Sequence, residues 1–339
     1  MSRRIQLGLF AVGAALFALL VRRIGPSQIA DNAAAVGWLF LPILLLYGVA
    51  YACNVVAWRL TMGTGSARPG FWRTYAITVS GFSLNFITPM INAGGEPFRM
   101  AALAAWLGSR RAASSVVLHK MLHSLALLLV WLTALLLALA MLPRTAPVVA
   151  PIAVALTAVT ALAALVLTGH QRGGLAHLLD LLHRLPLLDR LARKLEPKRP
   201  ALVEMDEQIA EFYHASPGRF WTALGFEYLS RSLWMVEYWL ICLGVGIRAT
   251  FAQAFLIGGL SSLIQNALFV VPYEMGTKEG SLYALFALAG LDPRAGVYTA
   301  IVTRARDMLW IGAGLGLLAI TRHRRHPAPS IASPAEPAL

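Results

Sequence analysis

Apolar runs long enough to cross a bilayer recur from one end of this sequence to the other. They lie at roughly 1–21, 36–58, 72–91, 114–142, 147–168, 219–246, 251–271 and 295–319. A helix needs about 20 apolar residues to span hydrocarbon, and inside lipid each backbone polar group must be satisfied within the segment itself. Of the 339 residues, 58% are hydrophobic and 13% charged, where a soluble domain carries roughly 25% charge. A soluble enzyme, a disordered chain and a small secreted scaffold are excluded. Short alternating strands are missing, which argues against an outer-membrane barrel. The expected class is all-α: a polytopic helical membrane protein with about eight transmembrane helices plus two re-entrant or half-helices in an inverted repeat. Residues 1–320 are expected to form a single transmembrane domain, with 170–218 as a cytoplasmic loop inside it. The tail 321–339, rich in Pro, Ala and Ser, is expected to be disordered.

Lys and Arg number 29 against 16 Asp and Glu, a net charge of +13. In a membrane protein that excess belongs in cytoplasmic loops and suits anionic headgroups. No soluble basic domain is present, so nucleic acid is not an expected partner. Loop 170–200 carries Arg172, Arg184, Arg190, Arg193, Lys194, Lys198 and Arg199, and the tail carries Arg322, Arg324 and Arg325. Both are read as cytoplasmic, as is the N-terminus. Arg59, Arg68 and Arg73, and then Arg110 and Arg111, mark further inner loops, and the turn 143–146 is external. The pair Arg22-Arg23 conflicts with this scheme. Residues 1–21 read as a first membrane helix rather than a signal peptide, because no small-residue cleavage site precedes Arg22. Leu175, Leu178, Leu179, Leu182 and Leu185 fall at helical spacing among basic residues. That pattern fits an amphipathic helix on the inner leaflet and equally a plain connector. Cys53 and Cys242 lie inside apolar runs and read as core residues.

Two shorter apolar stretches, 94–107 and 277–290, have 14 residues each. At 1.5 Å per residue they reach about 21 Å, short of a ~30 Å core. Both follow a break. The first break runs Thr88-Pro89-Met90-Ile91-Asn92-Ala93-Gly94-Gly95-Glu96-Pro97-Phe98-Arg99, the second Val271-Pro272-Tyr273-Glu274-Met275-Gly276-Thr277-Lys278-Glu279-Gly280. In each, a glutamate follows the proline by seven residues with glycine between, so Pro89, Gly94, Gly95, Pro272 and Gly276 are the predicted helix-breaking positions. A full apolar helix comes next. It holds a cation with a polar residue three further on: Lys120 and His123 in one copy, Arg304 and Asp307 in the other. The basic-loop topology gives the copies opposite orientations. Paired interrupted helices in inverted repeats point to a transport site near the midplane.

Charges at membrane depth need partners or a wet cleft. Glu96, Arg99, Lys120, Lys278, Glu279, Arg304 and Asp307 are therefore the candidate substrate-binding residues, with Arg306 beside them. The competing reading for each is a structural ion pair between helices. Glu227 and Arg231, four apart, read as an intrahelical pair. His119 and His123 are also four apart, but no nearby carboxylate completes a metal motif. Gly312 and Gly316 read as a packing face, and Trp58, Trp72 and Trp221 as interfacial anchors. No metal or cofactor is expected. No Asp-x-Asp, nucleophile motif or phosphate-cradling Gly loop is present, so an enzyme is not expected.

The blocks Gly94-Gly95-Glu96-Pro97-Phe98-Arg99 and Val271-Pro272…Gly276-Thr277-Lys278-Glu279-Gly280, with Arg304-x-x-Asp307 after them, resemble the flippase-like membrane family. That family includes the membrane domain of lysylphosphatidylglycerol synthases, and the resemblance covers about residues 5–320. The second block usually reads Pro-Gly-Gly-x-Gly-x-x-Glu; here Tyr273 and Glu274 replace the two glycines. The resemblance implies a bacterial plasma-membrane protein of eight spans plus re-entrant helices that moves a lipid between leaflets. Glu96, Arg99, Glu279, Arg304 and Asp307 inherit the polar-site role by position. The synthases continue into an aminoacyl-transferase domain, whereas this chain stops about 20 residues past its last span, so lipid lysylation is not expected. The expected partners are membrane lipids with a charged headgroup, and a second copy or a lipid-pathway enzyme is compatible. A membrane-embedded enzyme or an accessory scaffold acting on a lipid-linked substrate is the alternative reading.

Overall fold

The computed structural model describes residues 36–63, 68–87, 94–171, 214–268 and 277–323, with isolated positions between 196 and 212. Expectations for 1–21, Arg22-Arg23, Pro89, Pro272, Gly276, most of the loop 170–213 and the tail lie outside the described residues. Within them the regular structure is helical and no strand occurs. A 3-10 turn, Gly37–Leu39, leads into α1 (Phe40–Thr61). There follow α2 (Phe71–Ile87), α3 (Gly95–Leu107), α4 (Ser109–Met141), α5 (Ala146–Gln171), α6 (Pro217–Gly244), α7 (Phe251–Ala267), α8 (Thr277–Leu288) and α9 (Pro293–His323).

Local chemistry sets several of these ends. Pro217 opens α6, where its missing N–H costs no helical bond. Thr250 and Gln253 form a reciprocal capping box at the start of α7. Gly108 and Gly290 each adopt φ 74° just after the two short helices, a conformation that favours glycine over residues with a Cβ.

Three segments, Gly37–Thr61, Ser109–Met141 and Ala146–Ala164, are long and apolar enough to cross a bilayer on their own composition. Their outward faces carry large apolar side chains: Trp38 is 80% exposed and Val154 70%. Such surface suits lipid tails rather than water. The all-α membrane class follows from both sequence and structure.

The order of lengths repeats. Helices α2, α3 and α4 have 17, 13 and 33 residues; α7, α8 and α9 have 17, 12 and 31. In each copy the short helix packs against the helix before and the helix after it. The copies do not stand apart, since α9 runs along α2, and α6 lies along α1. The main apolar core joins α4, α6, α7 and α8 through Leu135, Cys242, Leu256, Ile257, Leu282 and Phe286.

Lipid tails are as apolar as leucine, so helices in a bilayer hold together largely by close backbone approach and hydrogen bonds. The α2–α9 seam shows this. Ser80 Oγ donates to the Gly314 carbonyl at 3.0 Å, and a Cβ on Gly314 would overlap Ser83 Oγ and sit 2.7 Å from the Val79 carbonyl. The expected Gly312/Gly316 face is corrected here: Gly316 is exposed and a Cβ there meets nothing. Gly314→Leu is expected to force α2 and α9 apart, at about 1–3 kcal/mol or more. Detergent melting should fall for Gly314→Leu and stay at the parent value for Gly316→Leu. Equal melting of the two would contradict this seam.

Candidate functional site

The short helices present their glutamates to the long helices that follow. Glu96 is the second residue of α3, and its Oε1 lies 3.2 Å from Lys120 Nζ on α4. Glu279 is the third residue of α8, and its Oε1 lies 2.8 Å from Arg304 Nη2 on α9. Lys120 and Arg304 occupy the same place in their helices, each eleven residues after the first (109 to 120, 293 to 304). The expected partner of each cation three residues on is thus replaced by a glutamate from the neighbouring short helix. In a helix the i and i+3 side chains share a face, yet the carboxylate across the interface offers the stronger contact.

The start of α3 is held by Asn85, near the end of α2. Its Oδ1 accepts from the Gly95 N–H (2.7 Å), and its Nδ2 donates to Glu96 Oε1 (3.1 Å). Helix N-termini carry unsatisfied N–H groups and a partial positive charge, so Asn85 and Glu96 together satisfy that end. Gln265 holds the matching position in α7, fourteen residues after its start, but donates to Ser261 Oγ at 2.6 Å. Sequence reasoning passed over Asn85; a lone amide in the last turn of an apolar span, ahead of a helix break, was the available signal. Gly95 itself packs so tightly on α2 that a Cβ would overlap the Gly81 carbonyl. Gly94 precedes α3, and Gly95 is its first residue.

Asp307 does not pair with Arg304. Its Oδ1 lies 3.2 Å from Arg306 Nη1 and its Oδ2 3.8 Å from Lys278 Nζ. Arg306 also reaches Glu237 Oε2 on α6 at 2.9 Å, and its guanidinium sits 3.6 Å from the Tyr47 ring centroid. Two acids and two bases neutralise each other in this buried group. Glu237 escaped the sequence reading because α6 has no helix break to mark it.

A second buried group surrounds Glu227 and corrects three expectations. Glu227 is fully buried, and its partners come from other helices rather than from Arg231. Its carboxylate can only accept, so the His119 ring donates to Oε1 (2.8 Å) and the His123 ring to Oε2 (2.7 Å). Asn54 Nδ2 adds a third bond at 2.9 Å. The histidines therefore do have a carboxylate beside them, 104 and 108 residues away in sequence. It serves as a hydrogen-bond acceptor, and no metal-holding group occurs among the described residues. Arg231 instead donates to the His123 carbonyl (3.2 Å). Trp58 is no interfacial anchor. It is fully buried, stacks on His119 with centroids 5.2 Å apart, and donates to Ser115 Oγ (3.1 Å). Trp72 and Trp221 do lie at the surface, 77% and 55% exposed.

Arg99 stands between these groups. Its Nη2 donates to the Thr78 carbonyl (3.2 Å) and its guanidinium lies 5.7 Å from the Trp58 centroid. The structure thus joins the candidates as Glu96 with Lys120, Glu279 with Arg304, and Lys278 with Asp307, and leaves Arg99 without an ion-pair partner among the described residues.

The sequence pattern of one family, described as the lysylphosphatidylglycerol synthase TM region, matches residues 5–316. The chain belongs to that family. The match takes in both short helices, both glutamates and every ion pair described above. No curated protein and no solved structure matches the chain. The protein is a helical membrane protein of a lipid-related family.

Proposed function

We propose that this protein is a translocator that moves a lipid with a polar or charged headgroup between the leaflets of a bacterial plasma membrane. The observation that carries the reading is the matched pair of short helices, each with a glutamate tied to a cation eleven residues into the next helix. Charges and helix ends at membrane depth are tolerated where they face protein or a water-filled path. Neutral pairs at such a path can open to a headgroup without stranding a bare charge. The two copies run in opposite senses, so Glu96 and Glu279 approach each other across a pseudo-two-fold axis near the midplane, the place where such repeats hold their substrate. The short helices re-enter rather than cross. The chain carries out no covalent chemistry of its own.

The test is a fluorescent-lipid quenching assay on purified protein in liposomes, without ATP. Exchange of a charged-headgroup lipid should exceed that of empty liposomes at least tenfold. If no lipid in a panel of headgroups exchanges faster, an embedded enzyme or a scaffold becomes the better reading.

The orientation is part of the proposal, with the N-terminus, residues 170–218 and the C-terminus facing the cytoplasm. A cysteine introduced at Arg190 should resist membrane-impermeant thiol reagents in intact cells and react after lysis. The native Cys53 and Cys242 are both buried, so they give little background. Strong labelling from outside would reverse the scheme.

A further inference from the structure

We propose that the two copies do unequal work: the α3–α4 interface opens, with Arg99 as the positioning residue that takes over Glu96 when Lys120 lets it go, while the α8–α9 interface stays shut. The inference rests on the translocation reading and says which of its two matched ion pairs is the gate.

The first argument is a partner in reserve. Glu96 Oε1 is engaged by Lys120 Nζ at 3.2 Å and by Asn85 Nδ2 at 3.1 Å. Its Oε2 is buried without a hydrogen-bond partner, and so is Arg99 Nε, three residues further along α3. A buried acceptor and a buried donor left open are each costly. Side chains three apart in a helix share a face, and each of these two charges lies within the electrostatic reach of the other. Lys120 is 48% exposed, so it can return to water when it releases Glu96. A carboxylate left bare at membrane depth would oppose opening. Arg99 travels with Glu96 on the same helix and removes that cost.

The second copy has no such reserve. Glu279 Oε1 lies 2.8 Å from both Nε and Nη2 of Arg304, which is 12% exposed. Two charge-assisted contacts away from water are strong. The residue three after Glu279 is Leu282, fully buried and apolar. Lys278, the only other charged residue of α8, faces Asp307 at 3.8 Å.

The third argument is packing. A Cβ on Gly95 would overlap the Gly81 carbonyl, which clamps α3 to α2. Asn85 and the Thr78 carbonyl add hydrogen bonds across that interface, to the Gly95 N–H and from Arg99 Nη2. The Glu96–Lys120 pair crosses the other interface, to α4, where no glycine contact of this kind occurs among the described residues. In the second copy a Cβ on Gly296 would overlap the Leu282 carbonyl, which clamps α8 to α9. The Glu279–Arg304 pair crosses that same clamped interface. Backbones in contact hold their register, so α8 and α9 stay together and α3 can part from α4.

The experiment measures spin-label distances on the full chain in liposomes. Ala101→Cys with Leu136→Cys reports across α3 and α4, and Tyr283→Cys with Leu309→Cys reports across α8 and α9; all four positions are exposed, and the native cysteines are buried. The first pair should show two distances and the second pair one. Lys120→Met should raise the share of the longer distance severalfold, and Arg99→Gln should lower it about tenfold. Arg99→Lys should recover part of that loss. Glu96→Gln added to Arg99→Gln is the decisive variant. It removes the charge that needs a partner and should restore the longer distance, whereas a merely structural Arg99 would leave the loss in place. A single distance across α3 and α4, or two across α8 and α9, overturns the assignment of the gate. An unchanged share in Arg99→Gln, or no recovery in the double variant, overturns the exchange of partners. Opening that follows these charges in protein that exchanges no lipid would remove the translocator reading and keep the gate. Lipid exchange with α3 and α4 held at one distance would do the reverse.

Discussion

Glu237→Ala is expected to cost about 3–5 kcal/mol, the loss that follows when one member of a buried ion pair is removed. Glu237 and Arg306 have side chains 1% and 4% exposed and lie 2.9 Å apart. Without the carboxylate, Arg306 keeps only its neighbour Asp307 at 3.2 Å and the face of Tyr47. Asp307 is then shared between Arg306 and Lys278, leaving the group with one cation too many. The measurement is recovery of monodisperse protein and its melting in detergent. The paired change Glu237→Leu with Arg306→Met should recover much of the loss, because replacing both charges by apolar groups of similar volume avoids the desolvation penalty. A single Glu237→Ala variant that melts like the parent would mean the pair contributes nothing.

Glu96→Gln and Glu279→Gln are expected to slow lipid exchange at least tenfold, with unequal effects on stability. Lys120 is 48% exposed and Glu96 18%. A solvated pair of that kind contributes about 0–1 kcal/mol, and Gln keeps an oxygen for Asn85, so Glu96→Gln should melt close to the parent. Arg304 is 12% exposed, and both its Nε and Nη2 lie 2.8 Å from Glu279 Oε1. Losing that charge-assisted contact should cost about 1.5–3 kcal/mol. Melting and exchange measured on the same preparations separate the outcomes. Early melting of Glu96→Gln together with unchanged exchange per folded molecule would make it a structural pair. Stable and fully active variants at both positions would remove the glutamates from the transport path.

The helices were largely legible in the sequence. The short stretches expected at 94–107 and 277–290 are helices over Gly95–Leu107 and Thr277–Leu288. Of the expected breaking glycines, Gly95 is instead the first residue of α3 and Gly94 before it has a helical φ of −74°; the positive-φ glycines, Gly108 and Gly290, follow the short helices. The charged residues near those breaks were legible because charge inside apolar sequence is rare and therefore conspicuous.

Partner choice was not legible, because it depends on which helix faces which. Spacing along one helix suggested Glu227 with Arg231 and Arg304 with Asp307. The fold instead gives Glu227 to two histidines on α4, and Arg304 to Glu279 on α8. Spacing also made Trp58 a surface anchor, whereas contact with α4 buries it against His119. Composition and local backbone chemistry by themselves determined the membrane class and the repeated order of elements, since each follows from the length and polarity of consecutive residues. The tertiary structure alone decided which charges neutralise one another and which arginines have no ion-pair partner among the described residues. A buried charge settles on the nearest suitable group across a helix interface, and that distance is set by packing between segments from 25 to 108 residues apart.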